Sequence, residues 1–238
     1  MRIGLFDSGV GGLNVLKEFL KKYPHNEYYY YGDTKNVPYG DKDKETLLNL
    51  SSNIIKFFEQ KQVDLIIIAC GTISSNCFEE LKQITSIPLI SVIEPTIAYV
   101  KGLKKEKIAV FGTRRTIDSH IFRNKLEQDV LEIAPIEFVP MIEKNEIDTL
   151  VVKKYVDLLD DYDVLILGCT HYPLLMKEIT KYLKKDIVII DMGVCLVNQI
   201  NLMNETKQII NLYFTKVDEN LINNIDNILE CEYSLIKL

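Results

Sequence analysis

The sequence predicts an α/β protein of two pseudo-symmetric, doubly wound parallel-sheet domains with the active site between them. Three observations carry this expectation. Short apolar, β-branched runs alternate with longer amphipathic stretches along the chain, the signature of parallel strands wrapped by helices. Runs such as Leu65–Ala69 are apolar at every position, as a strand buried on both faces requires. Two pairs of segments also echo each other at nearly the same offset. Ile3-Gly4-Leu5-Phe6-Asp7-Ser8 is matched by Ile108-Ala109-Val110-Phe111-Gly112-Thr113. Leu65-Ile66-Ile67-Ile68-Ala69-Cys70 is matched by Val164-Leu165-Ile166-Leu167-Gly168-Cys169.

Strands are expected near 2–6, 27–31, 63–69, 88–92, 107–111, 136–139, 163–168 and 187–190. Helices are expected near 12–22, 43–60, 74–84, 95–103, 116–130, 146–159, 173–183 and 193–203. In the second of these, Leu47, Leu50, Ile54, Phe57 and Phe58 recur at the three-to-four spacing of one helical face. Glu94-Pro95 is the expected crossing between domains, which gives 1–94 with 205–238 as the first and 95–204 as the second. The tail carries Ile210, Leu212, Phe214, Leu221, Ile225, Ile228 and Leu229, enough apolar surface to return and pack on the first half.

The 238 residues allow one large domain or two smaller ones, and 47 % hydrophobic residues suffice for a core. No apolar run reaches membrane-span length and no signal peptide is evident, so a cytoplasmic protein is expected. A net charge of −6 with scattered basic residues argues against nucleic acid, which favours positive charge gathered on one face. Five cysteines without CxxC spacing suggest neither a disulfide framework nor a zinc site.

The chemistry-bearing residues fall after strands, where open α/β sheets bind ligands. Asp7-Ser8-Gly9-Val10-Gly11-Gly12 joins a strand to a helix and fits neither the dinucleotide nor the P-loop pattern. It is either a carboxylate-holding turn or a capped connection. Pro38-Tyr39-Gly40 marks a second turn. Cys70 and Cys169 each stand between a buried strand and an expected helix start, a location that can depress a thiol pKa. Each is followed closely by a threonine, Thr72 or Thr170, and His171 lies two residues past Cys169. One thiol from each half can flank one ligand, which suits a reactant and product that are mirror images. Two thiols and a histidine fall short of a closed metal site. A Cys-His nucleophile pair is conceivable, but it leaves the second Cys-Thr without a role.

These residues give the chain a family likeness. FDSGVGG at 6–12, YGD and PYG around 31–40, AC-x-T at 69–72, VIEP at 92–95, GTRRTIDS at 112–119, Glu143 and LGCTHYPLL at 167–175 resemble the glutamate racemases of the aspartate/glutamate racemase superfamily. The related aspartate racemases usually carry Glu where His171 stands. The resemblance implies racemisation of glutamate, with no cofactor and no metal, for peptidoglycan synthesis. It implies Cys70 as the base toward D-glutamate and Cys169 toward L-glutamate, with Asp7 and His171, and Glu143 behind them, as auxiliary acid–base groups. It places the substrate among Asp7, Ser8, Pro38, Tyr39, Gly40, Gly71, Thr72, Thr113, Thr116, Thr170 and His171. It also implies a homodimer. Departures are Gly71, where the family usually has Asn, Met192 in place of a common Ser, and trimmed loops after Phe214. Gly71 offers only backbone N–H to a ligand, so a racemase of another acidic amino acid such as aspartate is an alternative. A non-catalytic amino-acid-binding protein is another.

Overall fold

The computed structural model describes residues 1–203 and 206–238, so the expected return crossing at 204/205 lies outside the described residues. In chain order the strands are β1 (Arg2–Asp7), β2 (Glu27–Gly32), β3 (Leu65–Ile68), β4 (Leu89–Ser91), β5 (Lys107–Phe111), β6 (Asp129–Ile133), β7 (Val164–Leu167), β8 (Val188–Asp191), β9 (Ile209–Phe214) and β10 (Ser234–Lys237). The helices are α1 (Gly12–Lys22), α2 (Lys44–Gln60), α3 (Gly71–Asn76), α4 (Phe78–Ile84), α5 (Ile93–Gly102), α6 (Arg114–Asp118), α7 (Ile121–Lys125), α8 (Phe138–Lys144), α9 (Thr149–Val156), α10 (Met176–Tyr182), α11 (Met192–Gln199) and α12 (Glu219–Ile228).

The strands form two all-parallel sheets, ordered β10-β9-β2-β1-β3-β4 and β6-β5-β7-β8. The order β2-β1-β3-β4 recurs as β6-β5-β7-β8, so the duplication legible in the sequence is a duplication of topology. The register preserves it too. Phe6 is opposite Ile68 and Phe111 is opposite Leu167, and in each lobe a cysteine follows two residues beyond that rung. The apolar tail adds β9 and β10 beside β2 in the first sheet.

Packing explains the tight association of the halves. The largest core cluster runs from Ile3, Leu5, Leu13 and Leu16 to Ile108, Val110, Val164, Ile166 and Leu196, through both sheets. The helices between them are α1, α5 and α11, and α11 packs on both of the others. Separate clusters cover the outer faces, one around Ile54, Phe58, Ile66 and Ile68, the other around Phe111, Phe138, Leu165 and Leu167. Burying each such aliphatic or Phe side chain contributes about 1.5–3 kcal/mol. The ends of α2 and α6 are set by Asp43 and Thr113, whose side chains accept from the N–H groups of Thr46 and Thr116.

Several expected elements are corrected. The run 136–139 is not a strand, and the sixth strand is Asp129–Ile133, overlapping the end of the helix expected over 116–130. Residues 138–139 open α8, where Pro140 occupies the first turn and so removes an N–H that has no intrahelical partner. The 116–130 stretch breaks because His120 takes a left-handed conformation with φ of 51° between α6 and α7. At 74–84 the helix starts earlier, at Gly71, and breaks at Cys77. The stretch 173–183 begins as a 3-10 turn, Tyr172–Leu175, before α10. Glu94 and Pro95 lie in the first turn of α5, which starts at Ile93.

Candidate active site

The sequence places its polar residues after strand ends, and the parallel topology brings those ends together. Ser8, Pro38, Tyr39, Gly40, Cys70, Gly71, Thr72, Thr113, Val139, Cys169, Thr170 and His171 line one narrow pocket between the lobes. A neighbouring cleft shares Pro38, Gly40, Thr113 and Val139 with it and extends to Asp41, Ile136 and Pro140, which makes this side the mouth. Cys70 caps α3 directly after β3. Cys169 follows β7 but precedes only a 3-10 turn, so the two thiols differ in local structure.

Three of the expected site residues stand one layer back. Asp7 is fully buried at the end of β1, where its Oδ2 accepts from Gly9 N at 3.2 Å and Gly12 N at 3.1 Å. Its Oδ1 accepts from the Thr170 hydroxyl at 3.1 Å, a bond across the lobes. Glu143, on α8, accepts at Oε1 from His171 Nε2 at 2.6 Å. Thr116 is buried behind Thr113, with the two hydroxyl oxygens 3.0 Å apart. Thr113 in turn meets Thr72 at 2.9 Å from the other lobe.

The glycines of 9–11 have a steric reason. A Cβ at Gly9 would lie 2.5 Å from Glu143 Oε1, and one at Gly11 would lie 2.5 Å from His171 Nδ1. The first-lobe loop is bare because the His171–Glu143 pair rests on it. Asn14 Nδ2 donates to the Thr170 carbonyl at 3.1 Å and closes the same seam.

The electrostatics are asymmetric. His171 Nδ1 lies 3.7 Å from Cys169 Sγ, while Nε2 faces Glu143. Burial opposes charge on His171, but its bonds to Cys169 and Glu143 win, and its pKa is held well above 6.5. Burial works against the Glu143 carboxylate as well, yet the bond and charge of His171 hold its pKa below 4.5. The two shifts agree on an ion pair, and an imidazolium can donate from both nitrogens at once. Burial pushes the Cys70 thiol up, and the nearby Asp7 pushes it further. This reverses the expectation of a depressed thiol at a helix start, because N–H groups of a six-residue helix do not offset full burial. Burial also raises the Asp7 carboxyl, with His171 opposing.

Four residues at or around the site are not among the expected site residues. Val139 lines the cavity. Asp33 is buried and receives the Tyr39 hydroxyl at 2.6 Å and the Thr215 hydroxyl at 2.8 Å, which fixes the 33–40 loop. Asn76 donates to the Arg115 carbonyl at 3.2 Å, and Arg115 Nε to the Lys42 carbonyl at 2.9 Å, both across the mouth. Asp33 closes the YGD block at 31–33 and is the most findable of the four. Among the described residues, no group of three or more His, Cys, Asp or Glu is arranged to hold a metal ion.

Two copies of one α/β unit meet at a shared pocket with a cysteine from each, and the comparisons with known proteins give this arrangement its class. The chain belongs to the Asp/Glu/Hydantoin racemase family, whose model matches residues 13–200. As a member it is an amino-acid racemase. It is 37 % identical to glutamate racemase of a Hydrogenobaculum strain over 249 aligned residues, covering 99 % of this chain and 95 % of that one. Among solved structures it is similar to a Bacillus anthracis glutamate racemase, with a TM-score of 0.92 and 28 % identity over 99 % of this chain and 96 % of the other. Glutamate racemase from Francisella tularensis, solved in complex with D-glutamate, gives a TM-score of 0.88 and 28 % identity over 100 % and 97 %.

Proposed function

We propose that this protein interconverts L- and D-glutamate by a two-thiol mechanism, with Cys70 and Cys169 on opposite faces of the substrate α-carbon. The observation that carries the reading is that both cysteines, from equivalent strand ends of the two lobes, line one pocket. One thiolate takes the α-proton and becomes a thiol. The other thiol gives its proton to the opposite face and becomes the thiolate, so each inversion exchanges the two charge states. The His171 imidazolium stands beside Cys169, while burial and Asp7 favour the neutral thiol at Cys70. Cys169 is assigned to deprotonate L-glutamate and Cys70 to deprotonate D-glutamate.

The α-proton is far less acidic than a thiol, and no side chain here acts as an electron sink. Stabilising the carbanionic transition state therefore falls chiefly to fixed donors around the substrate carboxylate. Ser8, Thr72, Thr113 and Thr170, with backbone N–H groups of Tyr39, Gly40 and Gly71, are assigned to hold it, and Thr116 and Pro38 support that wall. Asp7 and His171, backed by Glu143, assist proton movement at the two sulfurs. Exclusion of water by the closed lobes strengthens each of these interactions. Segments 1–94 with 205–238 and segment 95–204 are the units that open and close. D-glutamate from this reaction would supply peptidoglycan synthesis in the cytoplasm, and the working form is a homodimer. No helix among the described residues is long and apolar enough to cross a membrane.

The test is the circular dichroism of L-glutamate, and separately of L-aspartate, incubated with reduced protein and no added cofactor. Decay with glutamate alone supports the reading. Decay with aspartate moves the assignment to another acidic substrate, and flat traces with both overturn it.

A further inference from the structure

Gly71 stands where no side chain fits. A Cβ built there would lie 2.3 Å from the carbonyl oxygen of Gly168 and 3.3 Å from Met192 Cε. This contact crosses the lobes. Gly71 opens α3 immediately after Cys70, and Gly168 immediately precedes Cys169. The two strand-end turns therefore meet backbone to backbone, one residue from each sulfur. The Asn that the family resemblance leads one to expect at 71 cannot be seated at this closure. Met192, the chain's other departure from that pattern in the same region, is the side chain packed beside the contact. The two departures touch each other.

Ordinary carbon contacts begin near 3.4 Å, so any Cβ at 71 requires the two turns to give by about 1 Å at this contact. The neighbour that must yield is backbone, not the end of a flexible side chain. Two sulfurs serving opposite faces of one carbon must both hold near-attack distances, and a 1 Å misplacement costs about 10²-fold in rate.

We propose that Gly71 is a positioning residue whose missing side chain lets the two turns touch, and that this contact sets the span between Cys70 and Cys169 across the substrate carbon. The proposal rests on the two-thiol reading above. It gives Gly71 a role distinct from holding substrate, since spacing governs turnover while contacts to the ground state govern KM.

The experiment compares wild type, Gly71→Ala and Gly102→Ala. Gly102 ends α5, and a Cβ there meets nothing within 4 Å, so its variant should match wild type. Gly71→Ala is expected to keep its fold by circular dichroism, because the clash lies between lobes and is relieved by their separation. Its kcat should fall about 10²-fold in both directions, well beyond any accompanying rise in KM. In D2O, the α-hydrogen of the unreacted isomer should exchange faster relative to inversion than in wild type. A propped-open site still allows abstraction but slows delivery from the far thiol. An unchanged kcat, or a raised KM with kcat intact, overturns the positioning role. If Gly71→Ala does not fold, Met192→Ala is measured instead. It should lower kcat with KM held, Met192→Leu should restore it, and an unchanged kcat in Met192→Ala overturns the proposal. Wild-type protein that does not racemise glutamate overturns the functional reading and this role with it. An active wild type with an unaffected Gly71→Ala overturns this role alone.

Discussion

Replacing Glu143 by Gln removes one charge from the partner of His171 and keeps its shape. The pair is close, at 2.6 Å, and both side chains are largely shielded, with 2 % of the His171 side chain and 21 % of Glu143 accessible. A hydrogen bond between charged groups contributes about 1.5–3 kcal/mol, and a neutral one about 1 kcal/mol, so Gln forfeits roughly 0.5–2 kcal/mol. At 1.4 kcal/mol per tenfold, that lowers the imidazolium population by roughly 2–30-fold where His171 titrates. The sign follows from the directions in which the two groups are held. His171 is held above its ordinary value, so its contribution is full below about pH 6.5 and is lost as pH rises through its folded pKa. Glu143 is held below its ordinary value, so its contribution is present above about pH 4.5 and is lost as pH falls through its folded pKa. The pair thus works in the window between, and without Glu143 the alkaline limit moves down in pH. The assay is the pH profile of kcat/KM for both enantiomers. Glu143→Gln should lose little at the acidic end of the wild-type plateau and about 2–30-fold at its alkaline end. A loss uniform across pH, or alkaline limbs that superimpose, would refute the charge argument.

Cys70→Ser and Cys169→Ser should each nearly abolish racemisation of both enantiomers, measured polarimetrically, and full activity in either variant sinks the two-thiol mechanism. Asn14→Ala removes the bond to the Thr170 carbonyl across the seam and should cost about 1 kcal/mol in urea unfolding; no change would mean that water replaces the bond at no cost. Phe138→Ala should cost about 3–5 kcal/mol, since this fully buried ring sits edge-on to Phe111, Tyr155 and Tyr172. A loss under about 1 kcal/mol would show that the outer core of the second lobe repacks.

The strands at lobe centres are legible because their residues are apolar at every position, as in Leu65–Ile68 and Val164–Leu167. Within the repeated four-strand unit, the strand that the sequence hides is an edge. Asp129–Ile133 has one buried residue and three half-buried ones, so neither alternation nor a solid apolar run marks it. Nearby, Ile136, Phe138 and Val139 imitate a strand but belong to a connection and a helix with proline in its first turn. The site residues are findable because cavity-lining groups follow strand ends. Asp33, Asn76 and Arg115 escape because they act through backbone and loop partners, several of them far away in sequence, and no local pattern announces such a bond. The environment of Cys70 escapes for a related reason. A helix start predicts stabilised charge, but the depth of burial that overrides it depends on both lobes at once.

The duplicated scaffold makes the two thiols equivalent in position and leaves them unequal in chemistry. Each follows the same rung of the same topology, yet an imidazolium stands beside Cys169 and a buried carboxyl stands near Cys70. That inequality suits the proposed reaction. Two identical thiols would share no preference for which is ionised, and only states with one thiol and one thiolate can both take and give a proton. Asp7 and His171 interact with each other across the seam as well as with the sulfurs. Moving charge from one sulfur to the other therefore changes the field felt by both auxiliary groups. In the proposed reaction, backbone symmetry serves the two faces of one carbon, and the unequal surroundings distinguish the two sulfurs.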